Sequence, residues 1–291
     1  MALKDKIDSG KFVVLSEFEP PKGVDFSTLI ANADLVRFRT DAIVIAEMAN
    51  AVLKASSLGA SACLQNQGIE TVFQVCCRDR NRLALQADLL SAGALGIRNV
   101  MAVPGIDVKF GDHPQARAVN DLSLMELIET IRRLQQGKDM AGIGLTGTPD
   151  FYVGSTLDTG ASAAFLNLEL ENLEKQTELG VRYVITTPVF DLARFEQVIK
   201  RIDLKKAAVI PTVLVLKSAG MARYIDRNIG GISIPSDTIA SIQKARDRVR
   251  KCISIAGDII RRIKEMGLAG VMISSMGWED KLPLVLDEAE L

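Results

Sequence analysis

The chain of 291 residues is 48% hydrophobic and 24% charged, which is the balance of a well-packed globular protein and excludes a disordered one. Its 35 basic and 36 acidic residues are interspersed and leave a net charge of −1, so the sequence lacks the basic stripe that neutralises nucleic-acid phosphates. The N-terminus carries charges where a signal peptide is apolar, and no uncharged apolar run reaches the roughly 18 residues of a membrane span. We therefore expect a cytoplasmic protein that binds neither nucleic acid nor membrane.

Cysteine and histidine are too sparse to support several common kinds of site. Cys63, Cys76, Cys77 and Cys252 contain no Cys-x-x-Cys spacing, so we predict no metal site and interpret them as reduced thiols packed in the core. The one histidine, His113, lies in a polar loop between an aspartate and a proline. That setting is typical of a turn residue, which argues against a histidine-dependent nucleophilic mechanism.

Eight short runs rich in β-branched residues recur along the chain and predict eight strands. They are FVVLSEFE (12–19), AIVIAEM (42–48), TVFQVCC (71–77), NVMAVPG (99–105), AGIGLTG (141–147), YVITTPVF (183–190), AAVIPTVLVL (207–216) and GVMISSMG (270–277). The first four begin about 28 to 30 residues apart, as repeated βα units require. This pattern predicts a single domain over residues 1–291, an eight-stranded parallel (β/α)8 TIM barrel; strand counting alone leaves an open doubly wound sheet as the alternative.

Helical periodicity fills the segments between the predicted strands. Residues 82–96 and 121–137 repeat apolar positions at spacings of three and four, the second with Asp121 as its predicted cap and Gly137 as its end. Residues 238–267 predict one long amphipathic helix, and 217–237 predict a long loop over the barrel mouth.

Two carboxylates stand at the end of the first predicted strand. Glu17 and Glu19 are two residues apart, so both side chains project from the same face, and Pro20 and Pro21 end the strand after them. If that face is the barrel interior, burial raises the pKa of such a carboxyl and makes it a candidate general acid. The alternative is that the strand ends earlier and both acids are exposed.

Two further motifs need the same weighing. Residues 142–147, GIGLTG, match G-x-G-x-x-G, but no helix follows, so we interpret the glycines as close packing in the fifth strand and not as a dinucleotide-binding turn. Residues 76–81, CCRDRN, end the third strand with polar groups; Asp79 and Asn81 suit either a helix cap or a cofactor site.

The stretches LSEFEPPKG, QVCCRDRNRLALQADLLSAGALGIRNVMAV, FGDHPQA, FDLARFEQVIKRI, LKSAGMARYIDRN and GWEDKLPLVLDEAEL together resemble the methylenetetrahydrofolate reductase family, in particular its acetogen-type branch. The resemblance implies an α/β barrel that passes hydride from reduced FAD or FMN to 5,10-methylenetetrahydrofolate. The family's acid glutamate, three residues before Pro-Pro, falls on Glu17; Glu19 stands where many members have an aromatic residue.

The resemblance also implies site residues. Those expected to bind the cofactor are Gln74, Asp79, Asp107, Tyr152, Ser155, Thr156 and Glu169. Those expected to bind substrate are Glu19, Thr187, Phe190, Met221 and Arg223. The sequence departs from the family pattern at Asp107, which is displaced by one residue, at Thr187, which replaces a glutamine, and at Gln176, which replaces a lysine.

The function implied is reduction of methylenetetrahydrofolate to 5-methyltetrahydrofolate, with Glu17 as general acid. No nicotinamide site is evident in the chain, and relatives can work beside an iron–sulfur partner subunit, so electrons can arrive from another protein; a homo-oligomer is compatible with these features. The departures motivate two alternatives: a diverged flavin-free member acting on a C1-pterin, with hydride taken directly from a nicotinamide, or a non-catalytic subunit of a C1-metabolism complex.

Overall fold

The computed structural model describes all 291 residues and contains a closed barrel of eight parallel strands in chain order, with the last strand paired to the first. The strands are β1 Val13–Phe18, β2 Ala42–Ile45, β3 Thr71–Cys76, β4 Asn99–Val103, β5 Tyr152–Leu157, β6 Tyr183–Pro188, β7 Ala208–Leu214 and β8 Gly270–Ser274. Closure confirms the predicted (β/α)8 barrel and excludes an open sheet.

Eleven helices surround the barrel or close its ends. They are α1 Leu3–Asp8, α2 Ser27–Val36, α3 Ser57–Gln65, α4 Arg82–Ala94, α5 Leu124–Gln135, α6 Ala163–Glu178, α7 Leu192–Ile199, α8 Ala219–Asn228, α9 Ser236–Lys244, α10 Arg248–Glu265 and α11 Leu282–Glu288. None of them combines the length and the apolar surface that crossing a bilayer requires.

Alternation along each strand divides the core into two parts. A cluster of 14 buried side chains, among them Leu15, Val44 and Ile210, fills the barrel interior, whereas a cluster of 59 packs between the sheet and the helices. Because successive strand residues face opposite sides, the parity of a residue decides which cluster it joins. Glu17 has the parity of Leu15 and therefore faces inward.

The fifth strand lies elsewhere than predicted. Residues 141–147 form exposed turns held by an isolated antiparallel bridge between Lys138 and Gly144, and β5 begins at Tyr152. Glycine weakens an extended segment because it has no side chain to pack, whereas the sequence YVGSTL supplies bulky and β-branched residues. The glycines of GIGLTG thus belong to a loop, and their interpretation as close packing in a strand was wrong.

Two helix boundaries also differ from prediction. The cap of α5 is Ser123, which forms a reciprocal capping box with Glu126, while Asp121 binds Arg82 instead. The single long helix predicted over 238–267 is two helices, because the chain turns extended at Ala245 and Asp247 then caps α10 through the Arg250 amide. Likewise, the predicted mouth loop contains a helix, α8, and the start of α9.

The amino-terminal end of the barrel is sealed. Helix α1 lies beneath it with Leu3 fully buried, and the Tyr152 hydroxyl donates to Asp8 Oδ1 at 3.0 Å. The Tyr152 and Tyr183 rings stack with centroids 5.5 Å apart. Tyr183 occupies space left by Gly154, where a Cβ atom would lie 2.2 Å from the Tyr183 ring. Inside the barrel, the space for a ligand beside Glu17 therefore lies towards the opposite, carboxyl-terminal end.

Candidate active site

Five interior positions towards the carboxyl-terminal mouth are polar, whereas Leu15, Val72 and Ile210 beneath them are apolar. These positions are occupied by Glu17, Gln74, Thr156, Thr212 and Ser274. Their parity follows from register, since Glu17 pairs with Ser274 and Gln74 with Met101 of the interior cluster. Polar groups at this end of a parallel barrel are where active sites of the fold occur.

Glu17 is held by one strong hydrogen bond inside a half-buried setting. The Ser274 hydroxyl donates to Glu17 Oε2 at 2.6 Å, across the β1–β8 pairing that closes the barrel. Burial raises the pKa of Glu17 above its ordinary value, the Ser274 hydrogen bond opposes this, and the negative charge of Glu19 adds to it. A carboxyl that keeps its proton at higher pH can donate that proton to a bound substrate.

Glu19 lies just beyond the end of β1 and is paired. Its Oε2 accepts from the Lys54 ammonium at 3.1 Å, with the two side chains 35% and 24% exposed. Lys54 belongs to the loop that follows β2, and the next residue, Ala55, donates its amide to Pro21 O at 2.9 Å. The two glutamates that share a face therefore have different partners.

A buried ion network follows β2 and β3. Glu47, whose side chain is 1% exposed, accepts from Arg80 Nη1 at 2.8 Å and from the Ser57 amide at 2.6 Å. Arg80 also binds Asp88 at 2.8 Å, and the Glu47 amide donates to Gln74 Oε1 at 3.2 Å. These partners satisfy the network internally and fix Gln74 in place.

Arg78 closes the space above β3. Its guanidinium binds both oxygens of Asp79 at 2.7 and 2.6 Å and donates to Ile106 O at 3.1 Å in the loop after β4. The Asp79 interaction raises the pKa of Arg78 despite burial. The sequence leaves Asp79 and Asn81 open between a helix cap and a cofactor site. Asn81 is the cap of α4, and Asp79 binds Arg78.

Asp112 joins three loops around the mouth. Its carboxylate accepts from Lys22 of the loop after β1, from the Leu53 amide of the loop after β2 at 2.9 Å, and lies 2.8 Å from His113 Nδ1. These bonds hold the pKa of Asp112 well below its usual range. His113 thus serves in a loop contact, as the sequence predicts.

The rim above β5 and β6 is formed by polar loop residues. Asp158 Oδ1 accepts from the Thr187 hydroxyl at 3.2 Å, and the Asp158 amide donates to Glu169 Oε2 at 3.2 Å. The connection between α8 and α9 packs directly on this rim, since a Cβ atom on Gly160 would lie 1.4 Å from Gly231 O. Thr187 and Glu169 therefore both contact Asp158 at the rim of the mouth.

Two predicted cofactor residues lie away from this mouth. Tyr152 is the first residue of β5 and lies at the sealed end of the barrel. The fifth strand was predicted at residues 141–147, which would have put Tyr152 beyond its carboxyl end, at the mouth. Ser155 has the parity of the outer face, is fully buried, and donates to Ala102 O at 3.3 Å. Gln176 is also buried, in the last turn of α6 near the start of β6. These three positions cannot reach a ligand beside Glu17.

Three predicted substrate residues are partly or wholly engaged elsewhere. Phe190 is 8% exposed and packs in the main core, just before Asp191, which caps α7. On α8, Met221 packs against the same core, and Arg223 donates to Gln243 of α9 at 3.0 Å. The structure therefore groups Glu19 and Thr187 with the mouth and assigns packing contacts to the others.

The residues expected to hold a flavin do not form a cradle for one. A flavin needs free hydrogen-bonding groups for its ring and a cation or helix terminus for its phosphate. Gln74 and Asp79 are occupied by Glu47 and Arg78, and Asp107 caps a 3-10 turn by accepting from the Lys109 amide at 3.0 Å. Thr156 and Glu169 remain beside the mouth. With these contacts in place, the set does not fit the cofactor.

Sequence reasoning missed Ser274, Lys54 and Asp158. The parity of GVMISSMG, which places Ser274 inward beside Met272, carries the signal for the first. Lys54 and Asp158 lie in loops with no periodicity, so nothing in the sequence points to Glu19 or Thr187 as their partners.

The structure is a parallel (β/α)8 barrel with an inward carboxyl at its carboxyl-terminal mouth, where barrels of this kind carry their active sites. The model of the methylenetetrahydrofolate reductase family matches residues 2–290. The chain therefore belongs to that family.

The chain is also similar to one curated protein in sequence and to solved structures in fold. Methylenetetrahydrofolate reductase 2 of Schizosaccharomyces pombe is 22% identical over 277 residues, 90% of this chain, and the chain spans 42% of that relative's length. An uncharacterised Clostridium thermocellum protein that binds two copies of 5-methyl-5,6,7,8-tetrahydrofolic acid has a TM-score of 0.65 at 14% identity, over 99% of this chain and 97% of its own. EDTA monooxygenase from Chelativorans sp. BNC1 has a TM-score of 0.56 at 11% identity, covering 96% and 92%. The two structures show the shared fold.

Proposed function

We propose that the carboxyl-terminal mouth binds a C1 derivative of tetrahydrofolate and that the protein converts 5,10-methylenetetrahydrofolate to 5-methyltetrahydrofolate. The observation that carries this proposal is the inward carboxyl of Glu17, bonded to Ser274 at the mouth of a barrel of this family. The folate bound by the Clostridium thermocellum relative supports the choice of ligand.

Glu17 is the general acid of the proposed reaction. Its proton passes to N10 of the folate, the bond between N10 and the bridging carbon breaks, and the bridging carbon becomes an iminium with N5. A hydride added to that carbon gives the N5-methyl group. The Ser274 hydroxyl fixes the carboxyl by donating to one oxygen, which leaves the other oxygen to carry the proton.

The opposite wall of the mouth supplies groups that suit a pterin. Thr156 of β5 faces the interior across the barrel from Glu17, and Thr187 presents a hydroxyl held by Asp158. Asp158 accepts from Thr187 and from the Gly160 amide at 2.9 Å, so its position is fixed before a ligand arrives. Fixed acceptors of this kind orient the amino and amide groups of a pterin ring.

The source of the hydride separates two candidates. A reduced flavin is the donor that the family resemblance implies. The engagement of Gln74, Asp79 and Asp107 with protein partners favours the second candidate, in which the protein acts on a C1-pterin without flavin and takes hydride directly from a nicotinamide.

The test begins with the visible spectrum of the purified protein, followed by anaerobic turnover of 5,10-methylenetetrahydrofolate with reduced FAD, reduced FMN or NADH, with 5-methyltetrahydrofolate detected by chromatography. Flavin bands that are bleached on reduction and reappear on folate addition support the flavin candidate. A colourless protein that turns over with NADH alone supports the flavin-free one. Tight folate binding with no turnover by any donor overturns the reductase and points to a non-catalytic subunit.

Glu17→Gln tests the acid itself. We expect turnover to fall by about 10²–10⁴-fold, while 5-methyltetrahydrofolate still binds within a few-fold of wild type, because the amide keeps the shape but carries no transferable proton. The matched control is Glu196→Gln on the exposed surface of α7, which should leave turnover unchanged. Wild-type turnover in Glu17→Gln would show that another group is the acid.

A further inference from the structure

We propose that Lys54 is a positioning residue that holds Glu19 against the loop after β2 and thereby sets the pH at which Glu17 gives up its proton. The inference deepens the proposed role of Glu17 and depends on it for its catalytic meaning. It goes beyond that role because it assigns a function to a lysine outside the barrel strands and to a glutamate at a position where many family members have an aromatic residue.

The geometry places the two glutamates within electrostatic reach. They are two residues apart on one face of an extended segment, so their Cα atoms are separated by about 6.6 Å. Glu17 points into the mouth and binds Ser274, whereas Glu19 points to the rim and binds Lys54 Nζ at 3.1 Å. Without Lys54, the Glu19 carboxylate would have no cation to hold it at the rim and could turn towards Glu17.

The loop that carries Lys54 is strained and is held down on both sides of the lysine. Met48, Asn50 and Ala51 have positive φ angles of 44°, 55° and 56°, a conformation that side-chain-bearing residues rarely adopt. Strain of this kind persists only where surrounding contacts determine the conformation, and it concentrates at functional sites. The contacts are the Leu53 amide to Asp112 and the Ala55 amide to Pro21 O, which flank Lys54.

The neighbours of Glu17 on the two adjacent strands carry no charge. From β8 the neighbour is the Ser274 hydroxyl, and from β2 it is the apolar Val44. The carboxylate of Glu47, beyond β2, is bound to Arg80 and to the Ser57 amide.

Two more charges lie beyond the ends of β7 and β8. Lys217 donates to Met276 O, and Glu279 accepts from the Ser275 hydroxyl at 3.0 Å. Neither side chain bonds to Glu17. Glu19, two residues away on the same face of the segment, is the charged neighbour that adds to the effect of burial in raising the pKa of Glu17.

The sign of each substitution follows. Lys54→Met removes a positive charge and frees Glu19, and both changes favour the protonated form of Glu17, so its titration moves to higher pH. Glu19→Gln removes the negative neighbour, so the titration moves to lower pH. If Lys54 acts through Glu19, then adding Lys54→Met to Glu19→Gln moves the titration much less than it does in the wild-type background.

The test is a carbon-13 NMR titration of the glutamate side-chain carboxyls in the full-length protein without substrate, with the Glu17 signal identified by its loss in Glu17→Gln. We expect the Glu17 midpoint to rise by about half a pH unit or more in Lys54→Met, and to stay at the wild-type value in Lys54→Arg. Lys200→Met on α7, which removes the same charge far from the mouth, should leave it unchanged.

Two results would overturn the proposal: a Glu17 midpoint that Lys54→Met does not move, or a shift of equal size with and without Glu19. The pH profile of folate turnover is the second readout, and its alkaline limb should move with the NMR midpoint. Wild-type turnover in Glu17→Gln would remove the proposed acid and leave the titration result standing, so the two failures are distinguishable.

Discussion

The two ends of this barrel are built from the same eight strands yet have opposite chemistry. At the amino-terminal end the interior is closed by stacked tyrosine rings, and the Tyr152 hydroxyl is satisfied by Asp8 of α1. At the carboxyl-terminal end Glu17 stands in a half-buried position with Ser274 as its hydrogen-bond partner. One end is packed and closed, and the other holds a carboxyl whose ionisation is opposed by burial.

This difference teaches that stability and function are separated along the strand direction. Two positions along one strand separate a residue of the packed interior from a residue of the mouth, as Leu15 and Glu17 of β1 show. Substitutions of Tyr183 and of Glu17, inside the barrel at the two ends, should therefore have opposite consequences: loss of stability with an unaltered acid for Tyr183, and loss of the acid with unaltered or greater stability for Glu17.

The largest effect should come from emptying the sealed end. Tyr183 is fully buried and in contact with Gly154 and Tyr152, so Tyr183→Ala leaves a large cavity, and we expect a loss of about 3–5 kcal/mol in the free energy of unfolding. Urea denaturation measures it. Tyr152→Phe, which loses only the Asp8 hydrogen bond, should cost about 1 kcal/mol. A Tyr183→Ala loss no larger than that control would show that the stacked pair does not seal the barrel.

The next effect tests whether the ion network at the mouth is structural. Glu47→Ala leaves Arg80 without one of its two carboxylates and the Ser57 amide without an acceptor, and we expect a loss of about 3 kcal/mol. The control is Glu129→Ala on α5, whose partners Arg132 and Arg133 are near the surface, at a cost of about 1 kcal/mol or less. Equal losses in the two variants, by urea denaturation, would contradict a structural role for the network.

The fold was largely predictable because the burial of strands and helices produces regular patterns of apolar residues in the sequence. Seven of the eight strands lie within the apolar runs that predict them, since both faces of a parallel strand are covered and the run stays apolar. The fifth failed because GIGLTG is a loop, whereas β5 contains two polar residues and a glycine, Gly154, that accommodates Tyr183 from the next strand. That reason lies in a tertiary contact and not in the local sequence.

The candidate site was predictable only where parity fixes a direction. The inward orientation of Glu17 follows from its spacing within β1, and the structure places it there. Gln74 binds the amide of Glu47, 27 residues away in the loop after β2, and Asp79 binds the adjacent side chain of Arg78. Tyr152 was misplaced because the fifth strand was predicted too early in the chain. Pairings of this kind are set by loop conformation, which carries no periodic signal.

The smallest effect is a gain in stability at the functional end. The raised pKa of Glu17 means that the folded protein binds this proton more tightly than the unfolded chain does. Glu17 therefore adds stability at a pH below the ordinary glutamate pKa, and that contribution is lost as pH rises through the raised pKa of the folded state.

Glu17→Gln, which never ionises, should be more stable than wild type by about 1 kcal/mol at pH ~8, and the difference should shrink towards pH ~5. Thermal unfolding at the two pH values measures this change. The control is Glu196→Gln on the exposed surface of α7, far from Glu17, which should give no such gain. A Glu17→Gln variant that is less stable than wild type at the higher pH would mean that the carboxyl stabilises the mouth, and the contrast between the two ends of the barrel would fail.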